Sequence, residues 1–276
     1  MSTIRRSIRR YKQAVHAPHP IPRNLCEIVI PDEYKRTCNE DNFLFYDSGP
    51  GENRILLFST EKNMQLLKSS SVWFCDGTFK VVPELFYQLY SIHCLVSKRT
   101  MPCVFALLPN KRQSTYEELF NQLRAVNARL NPSAIMIDYE RAAMNAISNV
   151  FPNANIKGSF FHLSQAIYRK VQTEGLQSRY QSDAEFAISI RMIPALAFVP
   201  SDSVVQAFEH LQESMCEEAD GVINYFEDTF IGRRRRRNRG NPLFPIYMWN
   251  MHDRVCDDLP RTSIPWKDGT TIYRRI

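Results

Sequence analysis

Residues 71–86, SVWFCDGTFKVVPELF, place one acidic residue, Asp76, within a run of aromatic and β-branched side chains. Such a density of these residues predicts a strand in the protein core. A carboxylate buried there without a partner would be costly to desolvate. Two explanations are open: either Asp76 forms a turn with Gly77, as Asp-Gly pairs commonly do, or its charge is held by a cation.

Two more strands are predicted after this one, because the next segments are equally rich in aromatic and β-branched residues. They are FYQLYSIHCLV at 86–96 and MPCVFALLP at 101–109. The apolar period then becomes helical, and a Ser-Thr-Tyr-Glu capping-box pattern at 114–117 precedes it. Asn131-Pro132 ends that helix.

Strands and helices alternate from there on. AIMIDYE at 134–140 reads as a short apolar strand, a helix follows at 141–151, and NIKGSFF at 155–161 reads as a fifth strand before another helix. A three-stranded meander followed by alternating strands and helices predicts an α/β protein. Its mixed sheet would be flanked by helices.

The segments on either side add to this unit. Two apolar runs within residues 42–60 surround Gly49-Pro50-Gly51 and predict a β-hairpin, and a short helix is expected at 61–68. Beyond residue 175 no strand is predicted. Apolar residues at helical spacing predict helices around 204–215 and 223–230, and the last helical segment is expected at 246–258.

Three units are therefore expected: a basic arm with a β-hairpin extension (1–70), a core (71–175) and a C-terminal helical region (176–276). The 276 residues are 44% hydrophobic, enough for a sizeable core, and the net charge of +6 mildly favours polyanionic partners. Seven cysteines without a CxxC pair argue against a disulfide framework and favour a reducing compartment. We expect no membrane span and no secretory signal, since long apolar runs are missing.

Two aspartates are candidates for phosphodiester chemistry. Asp76 lies in the first core strand and Asp138 ends the fourth, and this strand order makes the two strands plausible neighbours. Close carboxylates repel each other unless a cation lies between them. Mg²⁺ takes oxygen ligands, and two ions about 3.5–4 Å apart can assist both the attacking and the leaving oxygen. The alternative for Asp138 is a structural role at a helix start.

Five blocks of sequence resemble, in the right order, the MULE (Mutator-like element) transposase domain, a DDE-type transposase with an RNase H-like core. They are FLFYDSG (43–49), ILLFST (55–60), WFCDGTFKVVPELFYQLYSIH (73–93), IMIDYERAAMNAISNVFPNANIKGSFFHLSQAI (135–167) and LFPIYMWNMHDRVCDDLPRT (243–262). The resemblance implies an RNase H-like mixed sheet. It also implies that Asp76 and Asp138 are the first two acids of a catalytic triad, with Asp76 bridging two Mg²⁺ or Mn²⁺ ions and Asp138 holding one.

The family often carries a cysteine and a histidine around the fifth strand, and a third acid after a segment like DLPRT. The histidine corresponds to His162 and the cysteine to Ser159, so packing and a role near the active site are both open for His162. DLPRT at 258–262 continues as SIPWKDG, with Lys267 near the expected glutamate and Asp268 left unassigned. We therefore expect a triad that is cut off before its third acid, which would slow catalysis about 100-fold or more. Other acids are expected on solvated helix faces: Glu209, Glu213, Glu217, Glu218, Glu227 and Asp228.

The run GRRRRRNRG at 232–240 is the strongest signal for a polyanionic partner. Its basic residues are Arg233, Arg234, Arg235, Arg236, Arg237 and Arg239. Contact with the DNA backbone and nuclear import are the functional interpretations, and a solvated loop is the alternative. The arginines at positions 5, 6, 9 and 10 leave a phosphate-contacting arm and a solvated arm equally open.

Three functions follow as hypotheses. The first is Mutator-like DNA transposition in the nucleus, that is, metal-dependent cleavage and transfer of DNA strands, with activity lost if the third acid is missing. The second is a non-catalytic DNA-binding relic or domesticated regulator. The third is a metal-dependent nuclease without strand transfer. The expected partner is double-stranded DNA, both transposon ends and target, and a homo-oligomer is a further candidate.

Overall fold

The computed structural model describes residues 21–79, 81–97, 99–236, 238–257 and 260. Within them the predicted β-β-β-α-β-α-β-α order is confirmed. Several sequence-based predictions lie outside the described residues: the basic N-terminal arm, Arg237, Lys267 and Asp268.

A mixed sheet forms the centre of the described structure. Its strands are β1 (Leu44–Asp47), β2 (Leu56–Phe58), β3 (Val72–Thr78), β4 (Gln88–Val96), β5 (Arg99–Leu108), β6 (Ala134–Ile137) and β7 (Asn155–Gly158). They lie in the order β1-β2-β5-β4-β3-β6-β7. β3, β4 and β5 form an antiparallel meander, whereas β6 and β7 run parallel to β3. The β5-β4-β3-β6-β7 part is the RNase H-like arrangement that was predicted.

The predicted hairpin joins this sheet. β1 pairs antiparallel with β2, and β2 pairs antiparallel with β5, so the hairpin adds two strands to the edge of the core. Arg54, in the hairpin loop, is buried and makes a two-pronged ion pair with Asp47, with 2.8 Å from Nε to Oδ1 and 2.6 Å from Nη2 to Oδ2. Its Nη1 donates to the carbonyl oxygens of Leu25 and Ile28 and so holds the preceding segment against the hairpin.

Helices cover the sheet and continue beyond it. They are α1 (Glu61–Ser69), α2 (Gln113–Val126), α3 (Arg141–Val150), α4 (Phe160–Thr173), α5 (Gln177–Ser182), α6 (Ala184–Ala195), α7 (Val204–Ser214), α8 (Asp220–Phe226), α9 (Ile246–Trp249) and α10 (His252–Cys256). A π-helical turn at Glu227–Ile231 continues α8. No helix in the described part of the chain has the length and apolar character needed to cross a membrane.

Aromatic packing joins β3 to the helices at the middle of the core. Trp73 of β3 is fully buried, and its ring meets Phe151 edge-on at 5.3 Å between centroids. Phe120 of α2 packs on the same Phe151 ring at 6.0 Å. The indole Nε1 of Trp73 donates to the carbonyl oxygen of Leu67 at 3.0 Å, which satisfies its one buried polar atom. These contacts fix the strand that carries Asp76.

Two element boundaries differ from the sequence-based prediction. α2 begins at Gln113, and the hydroxyl of Thr115 donates to Oδ1 of Asn110 at 2.7 Å, so the predicted capping box does not cap the helix. β7 ends at Gly158, because the amide of Ser159 makes the last bond to β6 and its carbonyl oxygen accepts the first bond of α4. The two phenylalanines predicted as strand therefore begin α4.

The helical region also contains elements that the sequence did not predict. α5 and α6 follow α4 directly, and the side chain of Asp183 caps α6 by accepting from the amide of Phe186 at 3.0 Å. The predicted helix at 246–258 is two short helices. It breaks at Asn250, whose side chain donates to the carbonyl oxygen of Val199 and accepts from the amide of His252.

Candidate active site

Asp76 lies in β3, and Asp138 directly follows the neighbouring parallel strand β6. The last paired residues of the two strands are Phe74 and Met136, so the register, continued by two residues, sets Asp76 level with Asp138. Neighbouring strands are about 4.8 Å apart, and side chains at paired positions point to the same face. This continued register agrees with the prediction that the two acids lie near each other at the centre of the sheet. Asp76 is 1% exposed.

The environment of Asp138 disfavours its charged form. Burial is the largest cause and raises the pKa of Asp138 above its usual value. The nearby negative charges of Glu140 and Asp76 raise this pKa further, whereas His162 and Lys111 lower it. Asp138 is thus electrostatically linked to the other members of the site, Asp76 included.

His162 lies at this site. It is in the first turn of α4, and its Nε2 is 3.4 Å from Oδ1 of Asp76. The imidazole is 15% exposed. Of the two roles left open by the sequence, the structure favours the one beside the acids, since the ring contacts the carboxylate directly.

A second histidine supports the backbone of Asp76. His93 is half-buried in β4, and its Nε2 is 2.9 Å from the hydroxyl oxygen of Ser91. That hydroxyl donates to the carbonyl oxygen of Asp76 at 3.3 Å. Ser91 is also the β4 partner of Asp76 in the antiparallel ladder. The two residues therefore help to position the strand.

A polar cluster that sequence reasoning did not identify lies beside Asp138. Oε1 of Glu140 accepts a hydrogen bond from the hydroxyl of Tyr116 at 2.7 Å. Oε2 of Glu140 forms an ion pair with Nζ of Lys111 at 2.6 Å. The side-chain amide of Gln88 donates to Tyr116 at 2.6 Å. Its place two residues after Asp138 was the one feature of the sequence that could have identified Glu140. Its partners come from distant segments, so no local sequence pattern indicates these contacts.

The two aspartates fit a divalent cation. They supply the oxygen ligands that Mg²⁺ or Mn²⁺ takes, and a cation between them would relieve the repulsion that raises the pKa of Asp138. Among the described residues, no group of three or more His, Cys, Asp or Glu side chains is arranged to hold a metal ion. The segment in which the third acid is expected, from residue 258 onward, lies outside the described residues except for Pro260.

The expectation that Glu227 lies on a solvated helix face was wrong. It begins the π-helical turn after α8, is 8% exposed, and its Oε1 accepts from Nη1 of Arg239 at 2.7 Å. The same guanidinium donates to Oε1 of Glu209 at 2.8 Å and to the carbonyl oxygen of Gly232. Arg239, predicted to contact DNA, is thus engaged by two carboxylates inside the protein.

The remaining described arginines form a small hairpin. Arg234 and Arg239 make an antiparallel bridge, and the amide of Gly240 donates to the carbonyl oxygen of Arg233. Arg233 pairs with Asp228, and Arg234 lies 3.5 Å from Glu209. The side chains of Arg235 and Arg236 are exposed near the tip. These two are the arginines best placed for an external polyanion.

The helical region packs on the residue that follows Asp138. The ring of Tyr139 meets Phe230 of the π-helical turn at 5.3 Å between centroids and Phe244 at 4.9 Å. Gly232, with φ of 93°, ends that turn, and an added Cβ would collide with the carbonyl oxygen of Gly240. The arginine hairpin is therefore connected to the segment that carries Asp138 through a packed aromatic cluster.

The match of one family model to part of the chain supports a transposase-type function. The sequence model of the MULE transposase domain matches residues 72–166, about a third of the chain. Among solved structures, a Drosophila P element transposase strand transfer complex aligns at 12% sequence identity with a TM-score of 0.28. The alignment covers 65% of this chain and 57% of the other, so this chain spans little more than half of that transposase chain. A search of curated proteins gave no significant match.

The matched segment runs from the first residue of β3 into α4 and so contains both aspartates and His162. The resemblance noted from the sequence blocks is confirmed over this range. Over residues 72–166 the chain is therefore similar to the MULE transposase domain.

Proposed function

We propose that this protein is a Mutator-like DDE transposase that cleaves and transfers DNA strands with the help of divalent cations. The observation that carries the proposal is the parallel pairing of β3 with β6, whose register, continued by two residues, sets Asp76 level with Asp138 within the segment matching the transposase domain. Two neighbouring carboxylates on a rigid central sheet provide the fixed oxygen ligands that phosphodiester cleavage with Mg²⁺ or Mn²⁺ requires.

Each residue of the site has a distinct task in this proposal. Asp76 and Asp138 would hold the cations, which when bound would activate the attacking oxygen and stabilise the leaving one. His162 contacts Asp76 and restricts the orientation of its carboxylate. Lys111 and Tyr116 hold Glu140 and keep that third negative charge at a defined place beside Asp138.

A nicking assay tests the proposal. Wild-type protein is incubated with transposon-end DNA in Mg²⁺ or in EDTA, and the strands are separated under denaturing conditions. We expect Mg²⁺-dependent nicks and joined products with the wild type, and neither with Asp76→Asn or Asp138→Asn. Asp202→Asn, a change at an exposed aspartate in another part of the chain, is the matched control and should nick like the wild type. Nicking that survives both active-site changes would refute the proposal, and nicks without joined products would favour a nuclease.

A DNA-binding protein without catalysis is the second candidate. The observation that favours it is the arginine hairpin, which is braced internally by Arg239 and leaves Arg235 and Arg236 exposed. Such residues contact phosphates and give affinity without sequence readout. This candidate predicts salt-sensitive duplex binding that Asp76→Asn leaves intact and that the double change Arg235→Ala and Arg236→Ala weakens. Binding unaffected by the arginine change would exclude it, and a nuclear location is expected under either candidate.

A further inference from the structure

Two exposed aromatic rings stand at the same edge of the sheet as the aspartates. Phe79 directly follows β3, three residues after Asp76, and Tyr87 directly precedes β4. Phe79 is 46% exposed and Tyr87 is 54% exposed. The rings meet edge-on with 5.7 Å between their centroids. Single exposed apolar residues are common on protein surfaces, but a paired set of rings beside a polar site is a candidate binding surface.

A cation connects this pair to the acids. Nζ of Lys111 lies 4.6 Å from the centroid of the Phe79 ring and 2.6 Å from Oε2 of Glu140, two residues after Asp138. Its ammonium group has three N–H donors. Among the residues that the structure describes, Glu140 is its hydrogen-bond acceptor, and the side chain is 35% exposed. The surface formed by the two rings and Lys111 therefore presents aromatic faces and a positive charge, and Lys111 contacts Glu140 beside Asp138.

This combination suits unpaired nucleotides better than it suits a duplex. A base stacks on an aromatic face whatever its identity, and a lysine ammonium contacts the phosphate next to it. In a duplex the base faces are covered by their neighbours, so only ends, gaps and frayed steps can use such a surface. Arginine-hairpin contacts, in contrast, need only the phosphate backbone.

We propose that Phe79, Tyr87 and Lys111 bind unpaired nucleotides of the DNA strand that enters the Asp76–Asp138 site. The inference rests on the proposed function, because it takes DNA as the substrate of that site, and it adds a substrate class: DNA with an unpaired flank beside the reacting phosphate. Phe79 supplies the stacking face, Tyr87 supports its ring edge-on, and Lys111 contacts the adjacent phosphate.

Binding measured without catalysis tests the inference. Fluorescence anisotropy in EDTA compares a labelled duplex that carries a short unpaired flank with a blunt duplex of the same sequence. We expect the wild type to bind the flanked duplex more tightly. The double change Phe79→Ala and Tyr87→Ala should weaken flanked binding about 10-fold and leave blunt binding almost unchanged. Lys111→Gln should reduce the salt dependence of flanked binding by about one phosphate contact.

Matched variants show whether a loss of binding comes from the missing rings or from misfolding. The double change Phe79→Tyr and Tyr87→Phe keeps both rings, and this variant should bind like the wild type. Tyr34→Ala removes another exposed ring, which is 60% accessible, and should leave binding of the flanked duplex unchanged. A 2-aminopurine at the first unpaired position should report stacking in the wild type and lose that signal in the double alanine variant. The inference is overturned if the double alanine variant binds the flanked duplex like the wild type, or if it loses flanked and blunt binding equally.

The inference and the proposed function can fail separately. A flank preference that depends on the rings, in a protein that does not nick in Mg²⁺, would support the binding surface and refute the catalytic proposal. Nicking that depends on the aspartates, with no flank preference, would refute the binding surface alone.

Discussion

Nε2 of His162 lies 3.4 Å from Oδ1 of Asp76, and the contact joins the first turn of α4 to the central strand β3. It exists because α4 begins at Phe160, directly after the last ladder bond between β6 and β7. A residue that contacts a metal-binding carboxylate without binding the metal itself commonly sets the orientation of that carboxylate.

The first prediction concerns this contact. His162→Ala should raise the Mg²⁺ concentration needed for half-maximal nicking, or lower the rate, by about 10-fold, because Asp76 loses the group that restrains it. His162→Gln, which retains a hydrogen-bonding group, should recover part of the loss. An Mg²⁺ titration of the nicking rate measures both. An unchanged titration curve with His162→Ala would show that the histidine only packs.

The second prediction concerns the stability of the metal-free protein. Because folding raises the pKa of Asp138, chiefly through burial, the folded state holds the proton of this carboxyl more tightly than the unfolded chain does. The resulting stabilisation is present below the unfolded pKa of about 3.9 and is lost as the pH rises through the folded value. In EDTA, Asp138→Asn should therefore raise the melting temperature at pH 7, and the advantage should shrink as the medium is acidified.

Thermal unfolding at several pH values checks this second prediction. Added Mg²⁺ should reverse the order at neutral pH, since only the wild type then gains stability from the bound ion. A variant that melts below the wild type at pH 7 in EDTA would contradict the raised pKa of Asp138.

The third prediction concerns Arg54, which ties the hairpin and the segment before it to the sheet. Arg54→Leu should lower the free energy of unfolding by about 3 kcal/mol, because Asp47 and two carbonyl oxygens lose their partner. Arg54 holds the pKa of Asp47 below its usual value, so this stabilisation is present at neutral pH and is lost as the pH falls through the lowered pKa. Urea unfolding measures the change. Arg23→Ala, at an exposed position, is the control, and equal losses from the two changes would disprove the role of Arg54.

The fourth prediction separates two kinds of arginine in one hairpin. Arg239→Ala should lower the melting temperature by about 5 °C, because Glu227 is left buried with its main partner gone. The double change Arg235→Ala and Arg236→Ala should leave the melting temperature within about 1 °C, since both side chains are exposed. Differential scanning fluorimetry compares the two proteins. Similar melting temperatures for both would mean that Arg239 does not brace the hairpin.

The sequence was sufficient to predict that the strands leading to the two acids are neighbours. An apolar strand with one aspartate, a meander after it, and a second apolar strand before Asp138 imply this arrangement, and β3 and β6 are parallel neighbours in the sheet. The hydrophobic period of each segment and the order of the segments along the chain are sufficient for this prediction, because both are visible in the sequence itself.

The supporting contacts could not be predicted in the same way. Lys111 and Tyr116, around the start of α2, meet Glu140 only after two distant segments have folded together, and no spacing in the sequence signals their contact. The burial of Glu227 depends on Arg239, twelve positions later, folding back across the turn. A run of arginines resembles a solvated loop in the sequence because charge pairing across a hairpin leaves no periodic pattern.

The central claim is that Asp76 and Asp138 hold the same divalent ions, and Mn²⁺ binding tests it most directly. Electron paramagnetic resonance of free Mn²⁺ gives the affinity of the wild type, of Asp76→Asn, of Asp138→Asn and of the double variant. The account predicts that each single change weakens binding at least about 10-fold and that the double change adds little, because the residues act as one site. Single variants that bind Mn²⁺ like the wild type, or losses that simply add, would contradict it.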